Sequence, residues 1–219
     1  MDYELLRPFG PTIYRSNMSD ELMTLLVNCA SDTRKSDINF GHALAGNLKN
    51  QLEAVLDMDD QVRFMQLICV HLRNYFKENW NRVQHYLIKK NEVVPDFENL
   101  SFELDSRPWI NFQQANEFNP IHSHSGLVSA VLYIDVPTEI AMEAETVNIK
   151  SNMKCAGQIE FAYGIDALGV NGTHKIIPKT GDILLFHAGL KHTVYPFTSN
   201  VERISMSFNV QSFGYVENN

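Results

Sequence analysis

Two histidines, His122 and His124 in "FNPIHSHSGLVSAVLYIDV", stand two positions apart at the mouth of an apolar run. A strand sends residues i and i+2 to the same face, so both imidazoles could point at one metal ion. Two ligands do not make a site. The third is sought in "IPKTGDILLFHAGLKHTVYPF", where His187 and His192 compete. His192 is preferred, because it opens the stretch leading by a further hairpin to Arg203 and would face the sheet interior; His187 is expected at the rim. In "RISMSFNV", Ile204, Met206, Phe208 and Val210 share one face, and Arg203, Ser205, Ser207 and Asn209 the other. The first set is core. If the second lines a cavity, Arg203 and Ser205 form a carboxylate clamp, a bidentate fork with a hydroxyl donor beside it; the alternative is an exposed strand face. Seven of the eight arginines lie in residues 1–107, which leaves Arg203 alone in the C-terminal half and invites a specific role for it.

The remaining histidines read differently. His71, between apolar residues in "LICVHLRNYF", is expected to be structural, with its ring hydrogen-bonded locally. His174, in the polar "VNGTHK", reads as a loop residue. His42, in "NFGHALAG", has glycines around it that permit a close turn toward a pocket, although a structural role is the simpler reading.

The elements that must position these groups change character along the chain. Residues 3–15 read as one or two strands broken by Pro8 and the Gly10-Pro11 turn. "SDELMTLLVNCASDTR" predicts a helix with Ser19 as N-cap and Leu22, Leu25, Leu26 and Cys29 on one stripe. Helical spacing is also read in "NFGHALAGNLKNQLEAVLDM", through Leu48, Leu52, Val55 and Leu56. It recurs in "DDQVRFMQLICVHLRNYFKENWNRV", through Val62, Met65, Leu72, Tyr75 and Phe76. After Pro95 the period falls from about 3.6 to 2. "FELDSRPWINFQQ" alternates around Trp109, Gly181-Asp182 reads as a hairpin turn, and strands continue to "RISMSFNVQSFGY". One domain is expected, 1–95 a mostly helical buttress and 96–219 a β core carrying the site, with helices on one side of an antiparallel or closed double sheet.

Composition removes several classes of function. Net charge is −8, with 26 acidic against 18 basic residues, which disfavours a phosphate-backbone binder because counterion release needs clustered cations. Lys89 and Lys90 form the only Lys-Lys pair and read as a solvated helix end. No apolar run is long enough to span a membrane, and "MDYELLRPFGPT" lacks the order of a secretory signal, so a cytoplasmic location is expected. Cys29, Cys69 and Cys155 are too few and too far apart for a disulfide framework or a thiolate metal knot. No G-x-S-x-G elbow occurs, so nucleophilic hydrolysis has no support.

Together, "HSH", a later His192, ten intervening residues and "RIS" resemble the iron(II)- and 2-oxoglutarate-dependent dioxygenases. Around them, "WINF", "NPIHSHSGLVSAVLYIDVP", "IPKTGDILLFHAGLKHTVYPF" and "RISMSFNV" resemble a small bacterial and phage group of these oxygenases related to prolyl-4-hydroxylase-like enzymes. The likeness covers residues 107–213 well and the N-terminal half loosely. It implies a double-stranded β-helix, or jelly roll, mainly β, with N-terminal helices packed on the major sheet. By position it makes His122 and His192 metal ligands for Fe(II), and places Arg203 and Ser205 on the distal carboxylate of 2-oxoglutarate. Tyr133 could reach the keto acid, although strict alternation from His124 turns it to the opposite face; Asn111 is an inward polar candidate beside a packing Trp109. His124 stands where the superfamily has a carboxylate. Either His124 completes a three-histidine face, or a carboxylate such as Asp135 swings in, or the position stays open; the first is preferred on i, i+2 geometry.

The implied reaction couples decarboxylation of 2-oxoglutarate to succinate and carbon dioxide with hydroxylation of a C–H bond. Its partners are dioxygen and an organic substrate, a peptide side chain, amino acid or small molecule, with a homodimer allowed. The location would be the host cytoplasm if the chain is phage-encoded. The loop "VPTEIAMEAETVNIKSNMKCAG" is expected to rim the pocket. Two other readings compete. A cupin also uses His-x-His and a later histidine, but it places a glutamate soon after the pair, absent in "HSHSGLVSA", and leaves the His192 to Arg203 spacing unexplained. A noncatalytic jelly-roll binding protein would have to retain costly buried polar groups without a use for them.

Overall fold

A computed structural model describes residues 2–8, 10–36, 38–87, 96–145, 154–165, 168 and 171–215. Lys89 and Lys90 lie outside them. The described residues form a large sheet, with strand order β1, β2, β10, β7, β12, β5, β3 and with β4 also on β12, and a smaller sheet ordered β6, β11, β8, β9. The strands are β1 (Tyr3–Leu6), β2 (Ile13–Asn17), β3 (Gln51–Glu53), β4 (Leu100–Leu104), β5 (Trp109–Gln113), β6 (Asn119–His122) and β7 (Val128–Asp135). They continue with β8 (Ile159–Ala162), β9 (Thr173–Ile176), β10 (Asp182–His187), β11 (Lys191–Val194) and β12 (Arg203–Tyr215). The helices are α1 (Asp20–Ser36), α2 (Met58–Leu87) and α3 (Thr138–Glu145).

Alternation sorts the large sheet into two faces. Val128, Ala130, Leu132 and Ile134 of β7, with Met206, Phe208 and Val210 of β12, join the core beneath α1 and α2. There they meet Leu22, Leu26, Phe64, Ile68 and Leu72. Phe64 of α2 stands edge-on to Phe208 at 5.6 Å. The other face of the sheet looks inward to the smaller sheet, where Ile13, Val131, Tyr133, Ile159, Phe161, Leu184 and Phe186 form a second core. The site lies in this inner space. Burying both faces of β7 and β10 is what their nearly continuous apolar runs require.

The helix N-termini follow the sequence. Ser19 Oγ accepts the amide of Leu22, and Asp57 Oδ1 accepts that of Asp60, the first turn of α2. Val62 is exposed rather than packed, and the stripe of α2 runs instead through Phe64, Ile68, Leu72 and Tyr75. Four readings are corrected. Residues 39–57 are not α-helical: a single 3-10 turn at Gly41–Ala43 precedes β3, whose Gln51, Leu52 and Glu53 pair with β5. Gly41 and Gly46, with Asn39, Asn47 and Asn50 around them, favour turns over helix. His174 lies in strand β9 rather than a loop. The Gly181-Asp182 turn and the link from His192 to Arg203 are not hairpins, because each passes from one sheet to the other. Part of the expected rim loop is helix α3; residues 146–153 of it lie outside the described residues.

His71 is structural as expected, but its partner is remote. The Tyr14 hydroxyl meets His71 Nδ1 at 3.0 Å, joining β2 to α2. Burial lowers the pKa of His71 from 6.5 to about 4. The unfolded chain therefore binds a proton between these values that the native state refuses, so stability falls as pH drops from 6.5 toward 4. The loss attributable to this residue is on the order of 3 kcal/mol. Denaturant titrations at pH 7 and pH 4.5 should show it, and the slope should lose about one proton's share in His71→Gln.

A candidate metal and keto-acid site

His122 and His192 come together through the ladder of the smaller sheet, where β11 and β6 pair with these two residues in direct register. His124 arrives otherwise. It lies beyond the end of β6, in the bend that carries the chain into β7, and its amide bonds to Ala188 O at 2.9 Å, in the turn between β10 and β11. Strand alternation thus does not align the pair; the bend does. Gly126 in that bend has φ of +90°, and its φ suits glycine, since Val210 O would crowd a Cβ there. The same bend resets the pleat, so Tyr133 faces the inner space despite its odd separation from His124.

The three rings form a cluster. Centroids lie 4.3 Å apart for His122 and His192, 4.9 Å for His122 and His124, and 5.3 Å for His124 and His192. One ligand atom from each falls within 4.8 Å of the others. His122 Nδ1 sits 2.7 Å from Pro120 O, and His192 Nδ1 sits 2.9 Å from Leu190 O. A carbonyl can only accept, so both Nδ1 atoms carry the proton and both Nε2 lone pairs are left for a metal. Burial, helped by the neighbouring His122, lowers His124 to about 4 and His192 to about 3. Both are neutral at pH 7, the state that coordinates. Trp109 flanks His124 at 6.1 Å and stacks on Phe40 at 5.5 Å, while Phe186 stands edge-on to His192 at 4.8 Å.

Opposite the cluster, the inward residues of β12 line the same cavity: Arg203, Ser205, Ser207 and Asn209. The exposed-face reading of this stripe is excluded, since Arg203 is 3% and Ser205 5% exposed. Tyr133 and Asn111 also line the cavity. Burial pushes the Tyr133 phenol up to about 12, so it stays protonated, and the Arg203 guanidinium lies 5.6 Å from its ring. Asn111 Oδ1 accepts from Gln51 Nε2 at 2.9 Å. Asp135 is exposed at the far end of β7 and does not line the cavity. His187 is exposed on a separate surface hollow beside Tyr75 and Phe76, not on the rim of this one. His42 is exposed against Phe40 and is not among the lining residues either.

Several residues here escaped sequence reading. Leu44, Ala45, Gly46 and Leu48 cover the cavity from the segment read as helix. Gly157 O accepts from Arg203 Nη1 at 2.5 Å, and Gln113 Oε1 accepts from Nη2. Gly157 has φ of +65°, and a Cβ there would collide with Ile140 of α3. Gly157→Ala should therefore cost about 2 kcal/mol or more, from left-handed strain plus overpacking. Equilibrium unfolding checks this.

The donor set suits iron(II) with a keto acid: neutral imidazoles for the metal, and for a carboxylate a buried guanidinium whose Nε has no partner among the described residues. Residues 107–209 match the family model described as "Putative 2OG-Fe(II) oxygenase". No curated protein matches the chain. Among solved structures, a prolyl-4-hydroxylase of Pseudomonas putida is similar at a TM-score of 0.52 and 14% identity, over 91% of this chain and 92% of that one. A Trichoplax adhaerens prolyl hydroxylase, in complex with a hypoxia inducible factor oxygen degradation domain peptide fragment, is similar at 0.51 and 11%, over 91% and 83%. At such identities the likeness establishes the fold, a jelly roll. The stretch that supplies the three imidazoles and Arg203 is the stretch the family model matches, and over it the chain is similar to the 2OG-Fe(II) oxygenases, whose cofactors are iron(II) and 2-oxoglutarate.

Proposed function

We propose that His122, His124 and His192 hold the iron(II), and that Arg203 and Ser205 bind the distal carboxylate of 2-oxoglutarate. Tyr133 and Asn111 complete the keto-acid pocket. The reaction is hydroxylation of a C–H bond in a peptide side chain, an amino acid or a small molecule. The carrying observation is the cluster itself: three imidazoles within reach of one ion, two with their tautomers fixed by backbone carbonyls. Bound iron and 2-oxoglutarate supply the oxidising power from dioxygen, with release of succinate and carbon dioxide. The chain's own residues do the rest. Pro120 O and Leu190 O orient the ligand rings. Val131, Ile159, Phe186 and Val194 give the cavity apolar walls that keep water from the reacting centre. Arg203 and Ser205 anchor one end of the keto acid, which fixes where its other end lies.

The test is product. Supplied with iron(II), ascorbate, 2-oxoglutarate and dioxygen, the protein should release succinate at a slow uncoupled rate. A panel of prolyl peptides, amino acids and small amides should contain members that raise it. Complete absence of succinate, with metal bound, would sink the oxygenase reading.

A further inference from the structure

Arg203 is almost wholly buried, and its guanidinium is held from behind by two acceptors, Gly157 O and Gln113 Oε1. Gln113 is 2% exposed and is Arg203's direct cross-strand partner, β5 to β12. Its amide is oriented without ambiguity, because Nε2 donates to Glu117 O at 2.5 Å and only the oxygen is left for the guanidinium. The turn that supplies this carbonyl is itself fixed. Glu117, 7% exposed, accepts the amides of Gln114 at 2.9 Å and Lys49 at 3.1 Å. The Asn116 amide bonds to Phe197 O at 2.7 Å, with Asn116 at φ of +68°.

A carboxylate at position 113 would hold the same fork more strongly, yet an amide stands there. The difference is charge. A buried Arg–carboxylate pair satisfies itself, whereas an amide orients the guanidinium and leaves its full positive charge for an incoming anion. The cavity contains no Asp or Glu among its described lining residues, so nothing else there competes for Arg203. We propose that Gln113 is a positioning residue for 2-oxoglutarate: a neutral acceptor that aims Arg203 at the distal carboxylate without neutralising it. This rests on the assignment of Arg203 to that carboxylate under the proposed function.

The experiment measures 2-oxoglutarate binding by anaerobic calorimetry on iron(II)-loaded protein, with thermal unfolding of each variant alongside. Gln113→Glu keeps the acceptor on Arg203 but sets its other oxygen against Glu117 O, so it should melt somewhat lower than native while its dissociation constant for 2-oxoglutarate rises roughly tenfold or more, the size of one charge-assisted hydrogen bond. Gln113→Leu should melt lower and weaken binding less than the glutamate does, since its guanidinium is disordered but still charged. In turnover, KM for 2-oxoglutarate should rise more than kcat falls in both. Native affinity in Gln113→Glu overturns the inference; should that variant not fold, native affinity in Gln113→Leu does the same. Arg203→Ala separates the two levels. If it too binds 2-oxoglutarate normally, the site assignment has failed rather than the role of Gln113.

Discussion

His192→Ala should lose the metal. The ring is 5% exposed, fixed through Nδ1 on Leu190 O, wedged against Phe186, and placed opposite His122 by strand register. It is the most rigidly held of the three, and a ligand with no freedom to turn away contributes most to a preorganised site. Losing a partner that only orients a ligand already costs about 10- to 100-fold in metal affinity, so losing the ligand should cost at least about 100-fold. Calorimetry with iron(II) under anaerobic conditions measures it. The pH dependence carries a further sign. Since burial lowers His124 to about 4 and His192 to about 3, protons should compete for these two proposed ligands only at acidic pH, and neither should weaken binding between pH 7 and 5.

The second large effect is at Arg203. Arg203→Ala removes the one charged side chain among the cavity's described lining residues apart from the histidines. Truncating one partner of a buried hydrogen-bonded charge pair costs about 2–5 kcal/mol, so the dissociation constant for 2-oxoglutarate should rise about 30-fold or more. Arg203→Lys should recover little, because the ammonium keeps the charge and loses the planar fork that both Gln113 Oε1 and Gly157 O engage. Iron affinity without the keto acid should stay within a few-fold of native in both. Equal loss of metal and keto acid would mean that Arg203 supports the fold instead.

Much of this was legible in the sequence, for identifiable reasons. The stripe of Arg203, Ser205, Ser207 and Asn209 could be read because a 13-residue strand keeps the period of 2 strictly enough to separate polar from apolar. Arg203 stood out as the sole arginine of its half. Spacing brings His122, His124 and His192 into the candidate set and the three do cluster, although a bend stapled to Ala188, not a shared strand, carries His124, and the link from His192 to Arg203 crosses between sheets instead of forming a hairpin. The 39–58 segment misleads because Leu48, Leu52, Val55 and Leu56 fit a helical period by accident, while Gly41, Gly46, Asn47 and Asn50 before and among them signal turns. Its consequence was the loss of Gln51 and of the Leu44–Leu48 cover. Gln113 and Gly157 could not have been found from spacing, since each meets Arg203 only through sheet register or a remote turn. Of the three cysteines, only Cys29 is fully buried, the other two half so. Among the described residues no helix is long and apolar enough to cross a membrane, as the composition led one to expect.

The most direct test of a three-histidine iron centre that chelates a keto acid is its visible spectrum. Metal-free protein is loaded anaerobically with iron(II) and titrated with 2-oxoglutarate, with His124→Ala and Arg203→Ala beside it. A charge-transfer band should grow to saturation at one equivalent of iron, vanish in His124→Ala for want of metal, and need far more keto acid in Arg203→Ala. Iron bound without any band, at any concentration of 2-oxoglutarate, would contradict it, as would a band of native strength in His124→Ala.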